Sequence, residues 1–216
     1  MTSAQKTFEN LPDEKRDRVL TEATLEFAEH GYHQASVNRI VGRLGIAKGS
    51  LFKYFGNKQG LFEYLFGHAV TQFKKPLKDI RDATSGEDFF ERIEKSLLAG
   101  VKFIEAHPLI YRIYLKMLFQ ENFPLRDKFL SEVRQASAKF LRPLITEAIE
   151  SGQLRADIDL NMTVFHLDSV MDRFLQACAV PSLDGGAGLF GADRTTIENK
   201  ARAVTDFLRH GLGVTS

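Results

Sequence analysis

The 216-residue sequence has a single cysteine, Cys178, so no disulfide can form within the chain. No apolar run approaches the roughly 18 residues that a membrane-spanning helix requires. The polar opening from Met1 to Arg16 lacks the apolar core of a secretory signal. These absences exclude a disulfide scaffold and a membrane-spanning chain, and a reducing cytoplasm is the expected location. Marks of catalysis are missing as well. There is no G-x-S-x-G and no H-E-x-x-H. Gly45-Ile46-Ala47-Lys48-Gly49-Ser50 has the letters of a phosphate-binding loop, but its lysine precedes the second glycine. Asp157, Asp159 and Asn161 imitate the opening of a calcium loop, yet Met162 stands where glycine is needed, and helix capping explains them better. Asp168 and Asp172 share a helix face, with Arg173 as the expected ion-pair partner. No catalytic group, metal or cofactor is expected.

One further absence is local. The net charge is only +1, but from Gly31 to Gly60 there is neither Asp nor Glu, although 28 of the 216 residues are acidic. Arg39, Arg43, Lys48, Lys53 and Lys58 make this window +5 and leave the remainder at −4. A local excess of cations is what phosphate binding needs.

What is present is helical periodicity. A first helix opens at Pro12, suited to a first helical position, with Asp13 and Glu14 at its positive end and an apolar stripe of Val19, Leu20, Ala23, Phe27 and Ala28. Gly31 is expected to stop it. Ser36 caps a short second helix whose Val37, Ile40, Val41 and Leu44 fall at i, i+3, i+4, i+7, and Gly45 ends it. A third stretch, Ile46 to Phe55, turns Ile46, Leu51 and Phe55 inward and leaves Lys48, Ser50 and Lys53 outward. Two short helices around a glycine turn make a helix-turn-helix. Asn57 caps a longer fourth helix that Pro76 ends or kinks. Helices are then expected at about 86–106, 108–120, 124–151, 160–180 and 193–212, with Pro181–Gly191 as a flexible loop. The fold class is all-α: a three-helix DNA-binding domain over 10–57 and a helical bundle over 58–213.

Ser36 to Lys58, SVNRIVGRLGIAKGSLFKYFGNK, resembles the DNA-binding signature of TetR-family regulators, and the likeness extends over residues 10–66. It implies a homodimer that binds double-stranded operator DNA and senses a small molecule, usually as a repressor. A helix that enters the major groove reads bases from its N-terminal end, while flanking donors hold phosphates. On that basis Lys48, Gly49, Ser50 and Lys53 are the expected readers, and Ser36, Val37, Arg39, Phe52, Tyr54 and Lys58 complete the DNA-binding set. Two positions depart from the pattern: Ala47 replaces the usual Ser or Thr cap, and Phe52 replaces the usual phosphate-binding Tyr.

In the second domain the resemblance implies an effector pocket. Its candidates are Phe90, Leu97, Tyr111, Tyr114, Met117, Phe140, Phe165 and His166, an aromatic set that suits an apolar or amphipathic ligand. Val164, Leu167, Met171, Phe174 and Cys178 step by 3 and 4, as do Ile197, Ala201, Val204 and Leu208. These seams fit either the domain's own core or a four-helix dimer interface, to which they are assigned. Two other functions fit parts of the pattern: an architectural DNA binder without effector, and a helical enzyme.

Overall fold

Local signals set where the helices begin and end. In the computed structural model, which describes residues 3–120 and 125–213, the chain forms α1 (Ser3–Glu9), α2 (Asp13–Gln34), α3 (Val37–Leu44), α4 (Lys48–Phe55) and α5 (Lys58–Ala83). It continues as α6 (Phe89–Ala106), α7 (Pro108–Phe119), α8 (Arg126–Glu150), α9 (Leu160–Ala179), α10 (Pro181–Asp184) and α11 (Arg194–Leu212). No strand occurs among the described residues, only an isolated bridge between Leu154 and Gly213. The all-α expectation is met.

Caps explain several starts. The Ser36 hydroxyl accepts the Arg39 amide ahead of α3, Asp193 accepts from Thr196 ahead of α11, and Asp159 accepts from Asn161 and Met162 ahead of α9. Of the three residues that imitate a calcium loop, Asp159 is the cap, while Asp157 pairs with Arg155 and Asn161 accepts from Arg142.

Four boundaries differ from the periodicity. The polar opening contains α1, because one buried aromatic, Phe8, is enough to dock a two-turn helix. α2 breaks at Gly31 as expected, where the chain takes φ 70°, ψ 177°, a conformation open to glycine, but a further helical turn follows as far as Gln34. Helix α5 continues seven residues beyond Pro76. α10 lies inside the segment expected to be a flexible loop. The expected helix start at 124 lies outside the described residues.

The chain divides into two compact units. The first comprises residues up to Gln72 together with His107–Leu130, and the second comprises Phe73–Ala106 and the chain from Ser131 onward. In the first, Phe8 is fully buried with ring centroids 4.8 Å from Phe55, 5.3 Å from Tyr64 and 5.6 Å from Tyr54. The Tyr64 hydroxyl donates to Glu9, and Arg16 donates to the Glu9 carbonyl at 3.0 Å. Phe27 packs edge-on to Phe62 at 4.8 Å, and Phe66 stacks on Phe129 at 4.0 Å.

The second unit is built around α6, which packs on α9 and α11. Its two apolar clusters absorb both seams: Val164, Leu167, Phe174, Ile197, Ala201 and Leu208 are buried, with Met171, Cys178 and Val204 half-buried against them. Their assignment to a dimer interface is therefore corrected. The 3,4 stepping reports packing inside the unit, because the same period serves any helix facing another helix.

Removing the anchor of α1 should be felt at α4. Phe8→Ala is expected to lower the stability of the first unit by about 3 kcal/mol. Amide exchange should show faster opening of α4 and unchanged protection of α9 and α11; slow exchange in α4 would mean that α1 does not support it.

Candidate nucleic-acid interface

The two helices of the expected DNA reader are held by α2. Glu26 is fully buried, on the stripe that Val19 and Ala23 begin. Its Oε1 accepts the Ser36 amide at 2.8 Å and Arg39 Nε at 2.8 Å, and its Oε2 accepts Arg43 Nη1 at 3.0 Å. Arg43 also donates to the Glu22 carboxylate at 2.6 Å and to the Glu22 carbonyl at 3.1 Å. Arg39 donates to the Gln34 carbonyl at 2.8 Å. Burial alone pushes the Glu26 carboxyl up, but Arg39, the Ser36 amide and Arg43 outweigh it and bring the pKa from 4.5 to about 2.

Lys58 is committed in a similar way. Its Nζ donates to the carbonyls of Tyr32 at 2.8 Å, His33 at 3.0 Å and Ala35 at 3.3 Å, and lies 4.9 Å from the Tyr32 ring centroid. A cation over the open carbonyls at the end of a helix satisfies acceptors that have no intrahelical partner. The start of α5 is further fixed by Asn57, whose side chain accepts the Gly60 amide at 2.9 Å. A Cβ at Gly60 would sit 2.0 Å from the Phe55 carbonyl oxygen, so only glycine permits this close approach between the ends of α4 and α5.

The +5 window is therefore mostly internal structure. Arg39, Arg43 and Lys58 hold α2, α3 and α5 together, and the first two are offset by Glu22 and Glu26 just outside the window. Val37 is buried, which corrects its placement among the DNA contacts; its side chain anchors α3. Arg39 and Lys58, both placed in the DNA-binding set, also serve as braces inside the unit.

What remains outward lies on α4. Lys48, Gly49, Ser50 and Lys53 are exposed, and Phe52 and Tyr54 half-buried. Lys48 Nζ stands 5.3 Å from the Phe52 ring centroid, and neither Lys48 nor Lys53 is engaged in an ion pair among the described residues. No side chain would contact a Cβ at Gly49, so its exposed flank is open for close approach. Ala47 precedes α4 without a side-chain cap. The helix depends instead on Leu51 and Phe55, both buried, and on Phe8 beneath it.

The effector candidates are divided between the two units. Tyr111, Tyr114 and Met117 belong to the first unit, with the two tyrosine rings 5.7 Å apart. Phe90, Leu97 and Phe140 are buried in the clusters of the second. Phe165 and His166 are exposed on α9, which corrects their placement in an interior pocket. Phe165 instead borders an open groove of about 560 Å³ with Arg134, Asp168, Asp172 and Gln176. There Asp168 accepts from Arg134 at 2.7 Å and from Ser137, so its partner is Arg134 rather than the neighbouring Arg173.

Sequence reasoning missed Glu22, Glu26, Phe8 and Gly60. Glu26 was detectable: an acid seven residues after Val19 and three after Ala23 falls on the buried stripe, where a carboxylate needs cationic partners.

A recognition helix with exposed lysines, braced on a helix-turn-helix, defines a DNA-binding regulator. Residues 19–65 match the family described as bacterial regulatory proteins, tetR family. The fatty acid metabolism regulator protein of Bacillus subtilis is 33% identical over 149 residues, 67% of this chain and 73% of that protein. The chain belongs to the TetR family of bacterial regulatory proteins. Among solved structures, a TetR family transcriptional regulator from Chloroflexus aurantiacus superposes with a TM-score of 0.72 at 28% identity, covering 97% of this chain and 98% of that one. The regulator FadR of Bacillus subtilis, solved with stearoyl-CoA, has the same fold, with a TM-score of 0.72 at 18% identity over 90% of this chain and 98% of its own.

Two outcomes follow from this site. Glu26→Gln should destabilise the protein by about 3 kcal/mol at pH 7, since a buried ionic network loses its centre. Glu26 titrates lower in the folded than in the unfolded chain. Its contribution is complete above about pH 4.5 and is lost as pH falls toward about 2. Urea titrations across this range should show wild type and variant converging in acid; a constant gap would refute the assignment. Second, Lys48→Ala and Lys53→Ala should leave stability within about 0.5 kcal/mol. Each should reduce the salt dependence of DNA binding by about one phosphate's worth. Lys58→Ala should instead lower the melting temperature.

Proposed function

We propose that the chain is a cytoplasmic, non-catalytic repressor that holds a palindromic operator as a homodimer and is released by an amphipathic effector with a long acyl chain. The observation that carries the DNA reading is α4: its exposed lysines face no internal acid, while the other cations of the window are internally engaged. Residues 10–57 serve as the DNA reader, and 58–213 as the sensing and pairing part. Ser36 and the amides behind it add a phosphate site at the start of α3.

The pairing surface is read from what the second unit leaves uncovered. Phe165 on α9 is 60% exposed and Phe207 on α11 is 79% exposed, with Met162 at 48%. Large apolar side chains on the outer faces of two long helices that both pack on α6 mark a protein contact. A second copy offers the same faces, which is the arrangement a two-fold dimer requires. Two recognition helices then meet half-sites about 34–36 Å apart, or a multiple of that spacing. Ligand that tilts α5 alters this separation and lowers affinity.

The effector class is supported by relatives. The 33% identical relative bears the name of a fatty acid metabolism regulator, and the FadR structure holds stearoyl-CoA. An aromatic and aliphatic interior suits such a chain.

The operator is obtained by selecting genomic fragments that the protein retains. On that fragment, Phe165→Glu combined with Phe207→Glu is expected to give a folded monomer with about a hundredfold weaker binding. Stearoyl-CoA should release the wild-type protein and acetyl-CoA should not. A dimer that survives both substitutions rejects the proposed face. Operator affinity unmoved by any acyl-CoA rejects the effector and leaves an architectural DNA binder.

A further inference from the structure

Among the described residues, Arg92 is the only buried cation. It lies in the first turn of α6, and its side chain is 5% exposed. Its Nη1 donates to Glu147 Oε2 on α8 at 2.8 Å, but Glu147 is half-exposed and takes only this edge of the guanidinium. Arg92 Nε is enclosed and has no acceptor among the described residues. The buried hydroxyl one turn along α6 does not serve it: Ser96 donates back to the Arg92 carbonyl at 2.7 Å.

A guanidinium carries five N–H donors in a planar fork, and a charged donor enclosed without an acceptor is costly. A purely structural role does not require it, since an apolar side chain of similar volume fills such a place without the cost. Phe89 and Ile93, near Arg92 on α6, and Leu144 and Ala148, near Glu147 on α8, all belong to one buried apolar cluster. A hydrocarbon wall beside an under-used cationic fork matches a molecule with an apolar chain and an anionic head.

We propose that Arg92 is the anchor for the anionic head of the effector, with Glu147 as the carboxylate that occupies the guanidinium until the ligand arrives. This rests on the acyl-effector reading above and adds its polar half. Both a fatty acid's carboxylate and the phosphates of its CoA thioester carry the required oxygen pair. The ligand takes the place of one carboxylate by another anion, so Arg92 and Glu147 act with opposite sign.

That opposition is the test. Stearate and stearoyl-CoA are titrated calorimetrically into the full-length wild-type protein and into Arg92→Gln and Glu147→Gln. Arg92→Gln is expected to weaken the preferred probe by about tenfold to a hundredfold. Glu147→Gln is expected to tighten it by several-fold, because the competing carboxylate is gone. Both variants should keep ligand-free operator binding. Preference for stearate assigns the fork to a carboxylate, and preference for stearoyl-CoA assigns it to phosphate. If Glu147→Gln weakens binding or leaves it unchanged, the pair is structural and the proposal fails, even where Arg92→Gln does not fold. Equal binding by wild type and Arg92→Gln overturns the anchor while leaving the acyl-effector reading intact. Silence from both probes in the wild type overturns both.

Discussion

The DNA-reading half of this protein is organised by one carboxylate. Glu26 sits where a hydrophobic residue would satisfy the helix pattern, and an ionised group with no exposure is tolerable only when its lone pairs are filled by cations and amides. It fills them with Arg39, Arg43 and the Ser36 amide, and so fixes the rotation and the start of α3 against α2 in one step. An apolar contact would hold α3 nearly as well but would not specify its register, because hydrophobic packing has no direction. The recognition helix follows α3 through a three-residue turn, so its aim inherits that register.

This arrangement explains why net charge within a window overstated the cations available for DNA. Composition places five basic residues in thirty, but a basic residue can face a phosphate or a carboxylate, and sequence distance does not tell which. Arg39 and Arg43 lie three and seven residues into α3, on the side where Glu22 and Glu26 of α2 return one turn apart. Periodicity, by contrast, was a sound guide to helices, since nearly every long one appears close to its expected limits. It was blind to α1, where one aromatic, Phe8, in a polar segment carries the packing. It was equally blind to partners: the 3,4 seams of α9 and α11 announced helix packing without saying which surface they meet.

The seams being interior gives meaning to what is left outside. Once Leu167 and Ala201 are fully buried, the opposite faces of α9 and α11 should be polar if the unit ended at water. They carry Phe165 and Phe207 instead. The same helices thus have two apolar aspects, a deep one for the fold and an outer one interspersed with Lys200, Asp206 and His210. A mixed face of this kind is unlike a core, which excludes charge almost completely, and it is the observation on which the proposed pairing surface rests.

α5 is one continuous helix shared by the two units. Its first turn is pinned by Lys58 and by the Gly60 approach to Phe55. Its later turns bring Leu77 against the cluster of the second unit. Pro76 lies inside the helix and cannot donate to the carbonyl four residues back, that of Gln72, and Gln72 is where the first segment of the first compact unit ends. The hydrogen-bond ladder is therefore weakest at the junction of the units. A continuous helix with one missing rung remains stiff along its axis but bends more readily at that rung. Bending is thereby concentrated in that stretch of α5, while the braces on Glu26 and Lys58 hold α2, α3 and the start of α5 to one another within the first unit.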